Sequence, residues 1–166
     1  AGIEVTKLDT AGQTASIAIR SLQRKGESGY LFAKSTGSGG LRYYALYSRP
    51  GSVMFYYTLN GASKHDSLRF EIDLADEREY RVLLTVALDA SSEGSLASFV
   101  TLRVDDVQIG ARRQIDGVLG DCDPDGDCKL HVGQRAASSQ SSFYGFEGII
   151  YEAQMHNHVA LQQYPL

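Results

Sequence analysis

Alternation of apolar and polar residues with a period of two constrains this chain more than any other feature. In the stretch 67–74, Leu68, Phe70, Ile72 and Leu74 fall on one side, and Arg69, Glu71 and Asp73 on the other. That is the pattern of a strand with one buried face. The stretch 15–22 repeats it with Ala15, Ile17 and Ile19. The stretch 80–88 is nearly continuous Val, Leu and Ala, which predicts a central strand covered on both faces. Further strands are predicted over 3–8, 30–34, 41–47, 52–59, 97–104, 107–109, 130–132 and 143–155, with 112–119 irregular. Turn signals separate them: Gly26 to Gly29, the Gly/Ser run 35–40, Pro50-Gly51, and Asn60-Gly61. Helical periodicity is scarce. Roughly 10 to 13 short strands with no alternating helices predict an all-β fold, an antiparallel β-sandwich of jelly-roll type.

A chain of 166 residues suits one domain over 1–166 with one sizeable core. Ala1-Gly2 reads as a domain boundary or an expression start rather than a natural N-terminus. The net charge of −4 gives no reason to expect a nucleic-acid partner, because neutralising phosphates needs a basic surface. No apolar run reaches the roughly 18 residues of a membrane span, so no membrane insertion is expected.

One stretch departs from the strand-and-turn rhythm. Asp121, Asp123, Asp125 and Asp127 crowd into seven positions around Gly126, and the only two cysteines, Cys122 and Cys128, bracket the centre. Alternate carboxylates followed by a turn-permitting glycine are how a chain wraps a hard cation, so these four aspartates are candidate ligands for Ca²⁺. Carboxylates this close repel by about 1 kcal/mol per 4 Å pair in water, and a cation relieves that. The late glutamate that completes such a sphere is missing, since position 132 is Val and Lys129 stands nearby. Asp, Pro and Gly are also ordinary turn residues. The other reading is therefore a solvated acidic turn closed by a Cys122–Cys128 disulfide, which adds roughly 2 kcal/mol and holds the loop's shape. A disulfide points to an oxidising, extracellular setting.

Other constellations are weaker. Glu71 and Asp73 share a strand face and Asp76 follows, as in a glycosidase strand with paired carboxylates. Ala75 occupies the next position on that face, however, and the chain has no Trp for sugar stacking. His156 and His158 sit two apart, with no further ligand in sight. Arg112, Arg113, Lys129 and Arg135 are candidates for a basic patch that takes sulfated glycans. Tyr43, Tyr44, Tyr47, Tyr56 and Tyr57 alternate in two adjoining strands. Half of them belong to the core, and the outward half offers a contact surface for protein or glycan. No Ser-His-Asp spacing or zinc signature is present. Gly37 to Gly40 lacks the following helix that phosphate binding needs.

Five short motifs occur in a suggestive order: Gly29-Tyr30-Leu31-Phe32; Leu74-Ala75-Asp76-Glu77-Arg78-Glu79-Tyr80-Arg81-Val82; Thr101-Leu102-Arg103-Val104-Asp105-Asp106-Val107; Leu130-His131-Val132-Gly133-Gln134-Arg135; and the closing run from Phe143-Tyr144-Gly145-Phe146 through Tyr151 to Asn157. Together they resemble the laminin G-like domains, including the thrombospondin N-terminal-like and pentraxin-like branches, built as concanavalin A-like sandwiches. Glu79 and Tyr80 stand where those domains carry Trp-His, Asp106 stands at a turn glycine, and the C-terminal cysteine pattern of laminin G domains is missing. The resemblance implies a non-catalytic extracellular recognition or adhesion module of a larger cell-surface or matrix protein. Its ligand would be a protein or a glycan. It also implies rim loops that share one Ca²⁺, for which Asp105, Asp106 and Asp116 are further candidate ligands. A lectin or vestigial glycosidase on the same fold is the alternative. A structural spacer or homophilic contact domain is a third reading.

Overall fold

The computed structural model describes residues 4–5, 15–36, 42–91, 93–120, 128–133 and 145–156. Among them are twelve strands and no helix, hence none long and apolar enough to cross a membrane. The strands are β1 (Glu4–Val5), β2 (Ala15–Gln23), β3 (Gly29–Thr36), β4 (Arg42–Arg49), β5 (Ser52–Thr58), β6 (His65–Phe70), β7 (Glu79–Ala90), β8 (Leu96–Val104), β9 (Val107–Gln108), β10 (Arg113–Ile115), β11 (Cys128–Val132) and β12 (Gly148–His156). One sheet has the order β1-β11-β3-β4-β5-β6, and the other β10-β8-β7-β2-β12 with β9 paired to β8. Every pairing is antiparallel.

Alternation decides which side chains meet between the sheets. Leu46, Phe55 and Leu68 lie in register across β4, β5 and β6, and all three are buried. Opposite them, Val82, Leu84 and Val86 of β7 pair with Val104, Leu102 and Val100 of β8. One core cluster joins both sets with Ile17, Ile19, Tyr44, Tyr57 and Leu130. Tyr44 meets Phe55 edge-on at 6.0 Å, and Phe55 stacks on Tyr57 at 5.9 Å.

The sandwich has two rims. The first gathers the end of β3, the starts of β2, β4, β6 and β11, the turn between β7 and β8, and residues 116–120. A bridge between Leu59 and Leu119 joins the sheets there. The second rim gathers the ends of β2, β4 and β6, the Asp105-Asp106 turn and the approach to β12. There Glu77 N–H donates to the Gln23 carbonyl at 3.2 Å and Gly26 N–H to the Ala75 carbonyl at 2.9 Å.

Three stretches differ from the sequence expectation in ways that matter for the fold. The strand predicted over 67–74 begins at His65 and ends at Phe70. Beyond it the Asp73 carboxylate accepts the Ala75 N–H at 2.9 Å and turns the chain toward the other sheet. Leu74 stays buried, so the alternation marked burial correctly while the ladder had already stopped. The irregular stretch 112–119 contains β10, a three-residue edge strand. The closing strand starts at Gly148 instead of 143, since Phe146 N–H first bonds to the Gly133 carbonyl of the other sheet at 2.8 Å.

Candidate functional site

Asp121, Cys122, Asp123, Asp125, Gly126 and Asp127 lie outside the described residues, so both the calcium ligands and the Cys122–Cys128 pairing do too. What the structure describes is where the loop is anchored. On one side Gly120 N–H donates to the Thr58 carbonyl at 2.7 Å, after the Leu119–Leu59 bridge. On the other side Cys128 opens β11 opposite Thr36. Both anchors sit on the first rim. Gly120 packs so closely that a Cβ there would stand 3.1 Å from Asn60 Cα. Lys34 of the same rim pairs with Tyr44 and Leu130 in the ladder and is buried.

The other calcium candidates divide between the rims. Asp116 stands on the first rim, where its Oδ1 accepts from Gln114 Nε2 at 2.7 Å. Asp105 and Asp106 form the β8–β9 hairpin turn on the second rim, the length of β8 away from the loop's anchors at Gly120 and Cys128. Their work there is structural. Asp105 Oδ1 accepts the Arg81 N–H at 2.9 Å, and the Asp106 carbonyl accepts Arg103 Nη2 at 2.8 Å. Among the described residues no group of three His, Cys, Asp or Glu side chains is placed to hold a metal.

The paired-carboxylate stretch is taken up by local structure. Glu71 Oε1 lies 2.7 Å from Arg69 Nε, and Asp73 holds the turn at Ala75. Asp76 accepts the Arg78 N–H at 3.2 Å and the Tyr80 hydroxyl at 2.8 Å. Burial, then the hydrogen bond to Asp76, and then its charge raise the Tyr80 phenol above its ordinary value. The predicted basic patch does not assemble from its described members. Arg112 and Arg113 stand by β10, the outer strand of one sheet on the β5–β6 side of the sandwich. Lys129 is on β11, at the β12 side. Arg112 lies over the Phe99 ring at 4.0 Å, and Arg135 is outside the described residues. His156 ends β12, and His158 is likewise outside the described residues.

The tyrosine cluster is sorted by the pleat. Tyr44 and Tyr57 point into the core, and Tyr43 packs against it part-buried. Burial, and next the charge and hydrogen bond of Asp66, raise the Tyr57 phenol. Tyr47 and Tyr56 point outward. There they meet Tyr30 of the predicted strand 30–34, paired with Tyr47 in register, their rings 4.7 Å apart. Tyr30 with Ala33 and Ala45 forms a second, smaller buried cluster on the outer face of the sheet that holds β3, β4 and β5. Tyr47 and Tyr56 pack on it and keep part of their surface in water. Tyr56 also meets the ring of His65 edge-on at 5.8 Å. The outcome is an aromatic layer with polar tips, held on four adjacent strands from β3 to β6.

No family model matches the chain, and no curated protein matches it. Solved structures are similar to it. The Ruminococcus gnavus IT-sialidase CBM40 bound to α2,3-sialyllactose superposes with a TM-score of 0.63 at 16% identity, over 95% of this chain and 85% of that one. Domains LG4-5 of the mouse laminin α1 chain give 0.63 at 14% identity, over 95% of this chain and 39% of that one. The SAP-like pentraxin of Limulus polyphemus gives 0.56 at 12% identity, over 90% and 66%. At such identities the likeness is one of fold. The chain has the concanavalin A-like sandwich of laminin G and pentraxin domains, as its motifs suggested.

Proposed function

We propose that this protein is a non-catalytic recognition module that binds a glycan or a protein ligand on the aromatic outer face formed by β3 to β6. The observation that carries this reading is the pair Tyr47 and Tyr56, held part-exposed over the buried Tyr30, Ala33 and Ala45. Rings fixed on a rigid sheet lose little entropy on binding and offer apolar area with a hydroxyl at the edge. Glu71, Asp73 and Asp76 each have a structural partner, which supports a binding rather than a hydrolytic role. The similar CBM40 was solved with α2,3-sialyllactose, which favours a glycan among the ligand classes. An extracellular or cell-surface setting within a larger adhesion protein, Ca²⁺ bound through Asp121, Asp123, Asp125 and Asp127, and a Cys122–Cys128 disulfide belong to the same proposal.

The test is a glycan array followed by calorimetric titration, with α2,3-sialyllactose and neutral galactosides as first ligands. Tyr47→Ala and Tyr56→Ala are expected to weaken binding about tenfold or more, the equivalent of roughly 1.4 kcal/mol, in proteins that still melt cooperatively. Full binding by both variants would remove this face from consideration.

A further inference from the structure

Two arginines stand beside the rings on the outer face of β3 to β6. Tyr30, Tyr47, Met54 and Arg69 form one row across the four strands. Along β4, Tyr44 and Leu46 enter the core while Ala45 and Tyr47 belong to the outer cluster. The same alternation carries Arg49 to the outer face, two residues beyond Tyr47 and about 6.6 Å along the strand from it.

The two guanidiniums differ in what neutralises them. Arg69 is taken up by Glu71: its Nε lies 2.7 Å from Oε1, and its Nη2 donates to Oε2 at 3.1 Å. Such a fork cancels the charge and occupies the donors. Arg49 has no carboxylate within ion-pair reach among the described residues. Its Nε donates to the Ser52 hydroxyl at 2.9 Å, and Ser52 is fully buried. Arg49 and Ser52 are also the last pair before the turn at Pro50 and Gly51. Proline fixes one backbone angle of that turn, and Gly51 takes the φ of 76° that the next position needs. The hairpin thus holds the guanidinium by its Nε side. Its two Nη groups have no hydrogen-bond partner among the described residues, and the side chain is half-buried. His65, the ionisable ring nearby, packs edge-on against Tyr56.

We propose that Arg49 makes this face selective for an acidic saccharide, whose ring lies against Tyr47 and Tyr56 and whose carboxylate or sulfate takes the Nη groups of Arg49. The inference rests on the reading that this face binds a ligand, and it names the ligand's class and the residue that chooses it. A guanidinium held in place and left unpaired is the group that a planar anion matches with two parallel hydrogen bonds. Its spacing from Tyr47 suits a negative group carried on a sugar ring that stacks on the tyrosine. A neutral galactoside uses the rings alone and leaves Arg49 to water. An acidic peptide engages the charge but has no ring to lay on the aromatic layer.

The experiment titrates the full chain with α2,3-sialyllactose, 3′-sulfolactose, lactose and a capped Glu-Gly-Glu peptide. It is run at about pH 7.5, where an ordinary histidine is mostly neutral and His65 adds no charge. At least one acidic sugar should bind about tenfold tighter than lactose or more, and which of the two does so identifies the anion. That preference should shrink as salt is raised. Arg49→Gln should bring the ratio of acidic sugar to lactose affinity close to one. Arg49→Lys keeps the charge without the fork and should give an intermediate ratio. Three results overturn the proposal: lactose and both acidic sugars bind equally, Arg49→Gln keeps the ratio in a protein that melts like the parent, or the peptide binds tighter than any sugar. Sugars that bind through Tyr47 and Tyr56 without an acidic preference sink this inference alone. Failure of every sugar to bind sinks the glycan reading of the face along with it.

Discussion

Tyr80 shows how much of this molecule is settled one side chain at a time. It stands where the resemblance expects Trp-His, and it fills the site by burying its ring and donating its hydroxyl to Asp76. Arg78 lies over the ring at 4.6 Å. Because burial and Asp76 both raise its folded pKa above the ordinary value near 10, the neutral phenol is the form the fold favours. The same holds for Tyr57, raised by burial and then by Asp66. Their contribution is fully present below about pH 10 and is lost as pH rises through the raised folded values. Urea unfolding followed across pH 8 to 11 should therefore show stability falling at the alkaline end. Tyr80→Phe should lower stability by about 1 kcal/mol at pH 8 through the lost hydrogen bond and should flatten that fall. An unchanged alkaline slope in the variant would assign the loss to other groups. Three non-glycine residues, Glu77, Asp105 and Asp106, take left-handed backbone angles (φ 64°, 48° and 66°). Adjacent positive φ at Asp105 and Asp106 is what a two-residue hairpin turn of this hand demands. It explains why glycine is the residue the resemblance expected at 106.

At the scale of elements, the alternation located most of the ladder. It placed β2, β4, β5, β7 and β8 to within about two residues, and it named Leu68, Phe70 and Leu74 as buried. It did not show where β6 ends. Burial persists past Phe70 while hydrogen bonding stops, and period two reports only the first. Close backbone contacts were also invisible. Gly29 looks like one more strand-start glycine in the motif Gly29-Tyr30-Leu31-Phe32, yet a Cβ there would stand 2.5 Å from the Gly145 carbonyl oxygen and 2.6 Å from Phe146 Cα. The chain 116 positions later crosses over it. Gly29→Ala should therefore cost about 3 kcal/mol or more, because backbone rather than a pliable side chain must move. Gly26→Ala meets nothing within 4 Å and pays only for its φ of 74°, about 1 kcal/mol. Urea midpoints of the pair check this, and equal losses would show that the crossing is loose.

For the whole molecule, the two sheets share one core, and adjacent strands are often distant in sequence, as β12 and β2 are. Such a topology folds slowly, on the millisecond-to-second scale, because loops must close before contacts stabilise them. The proposed calcium site acts at the same scale. If the loop between Gly120 and Cys128 holds Ca²⁺ on the first rim, the cation stabilises only the folded chain. The melting temperature under non-reducing conditions should then climb with added Ca²⁺ and fall with chelator, with a gain of about 2.7 kcal/mol at a hundredfold excess over the dissociation constant. Melting that ignores both leaves the loop as an acidic turn. Reduction before melting reports separately on the Cys122–Cys128 bridge.

The chain by itself determined what depends on neighbours along it: strand periodicity, turn residues, the half-buried character of each strand, and a motif order that resembles one sandwich fold. Those are local consequences of the pleat and of backbone sterics. Tertiary structure decided which tyrosines became core and which a surface. It put Asp105 and Asp106 on the rim opposite the anchors Gly120 and Cys128, separated Arg112 from Lys129, and left Ile149 and Tyr151 exposed on an edge strand. Each of these depends on which strand becomes whose neighbour. That is fixed by burying one shared core between two sheets, and an alternation of period two is the same for an edge strand as for a central one.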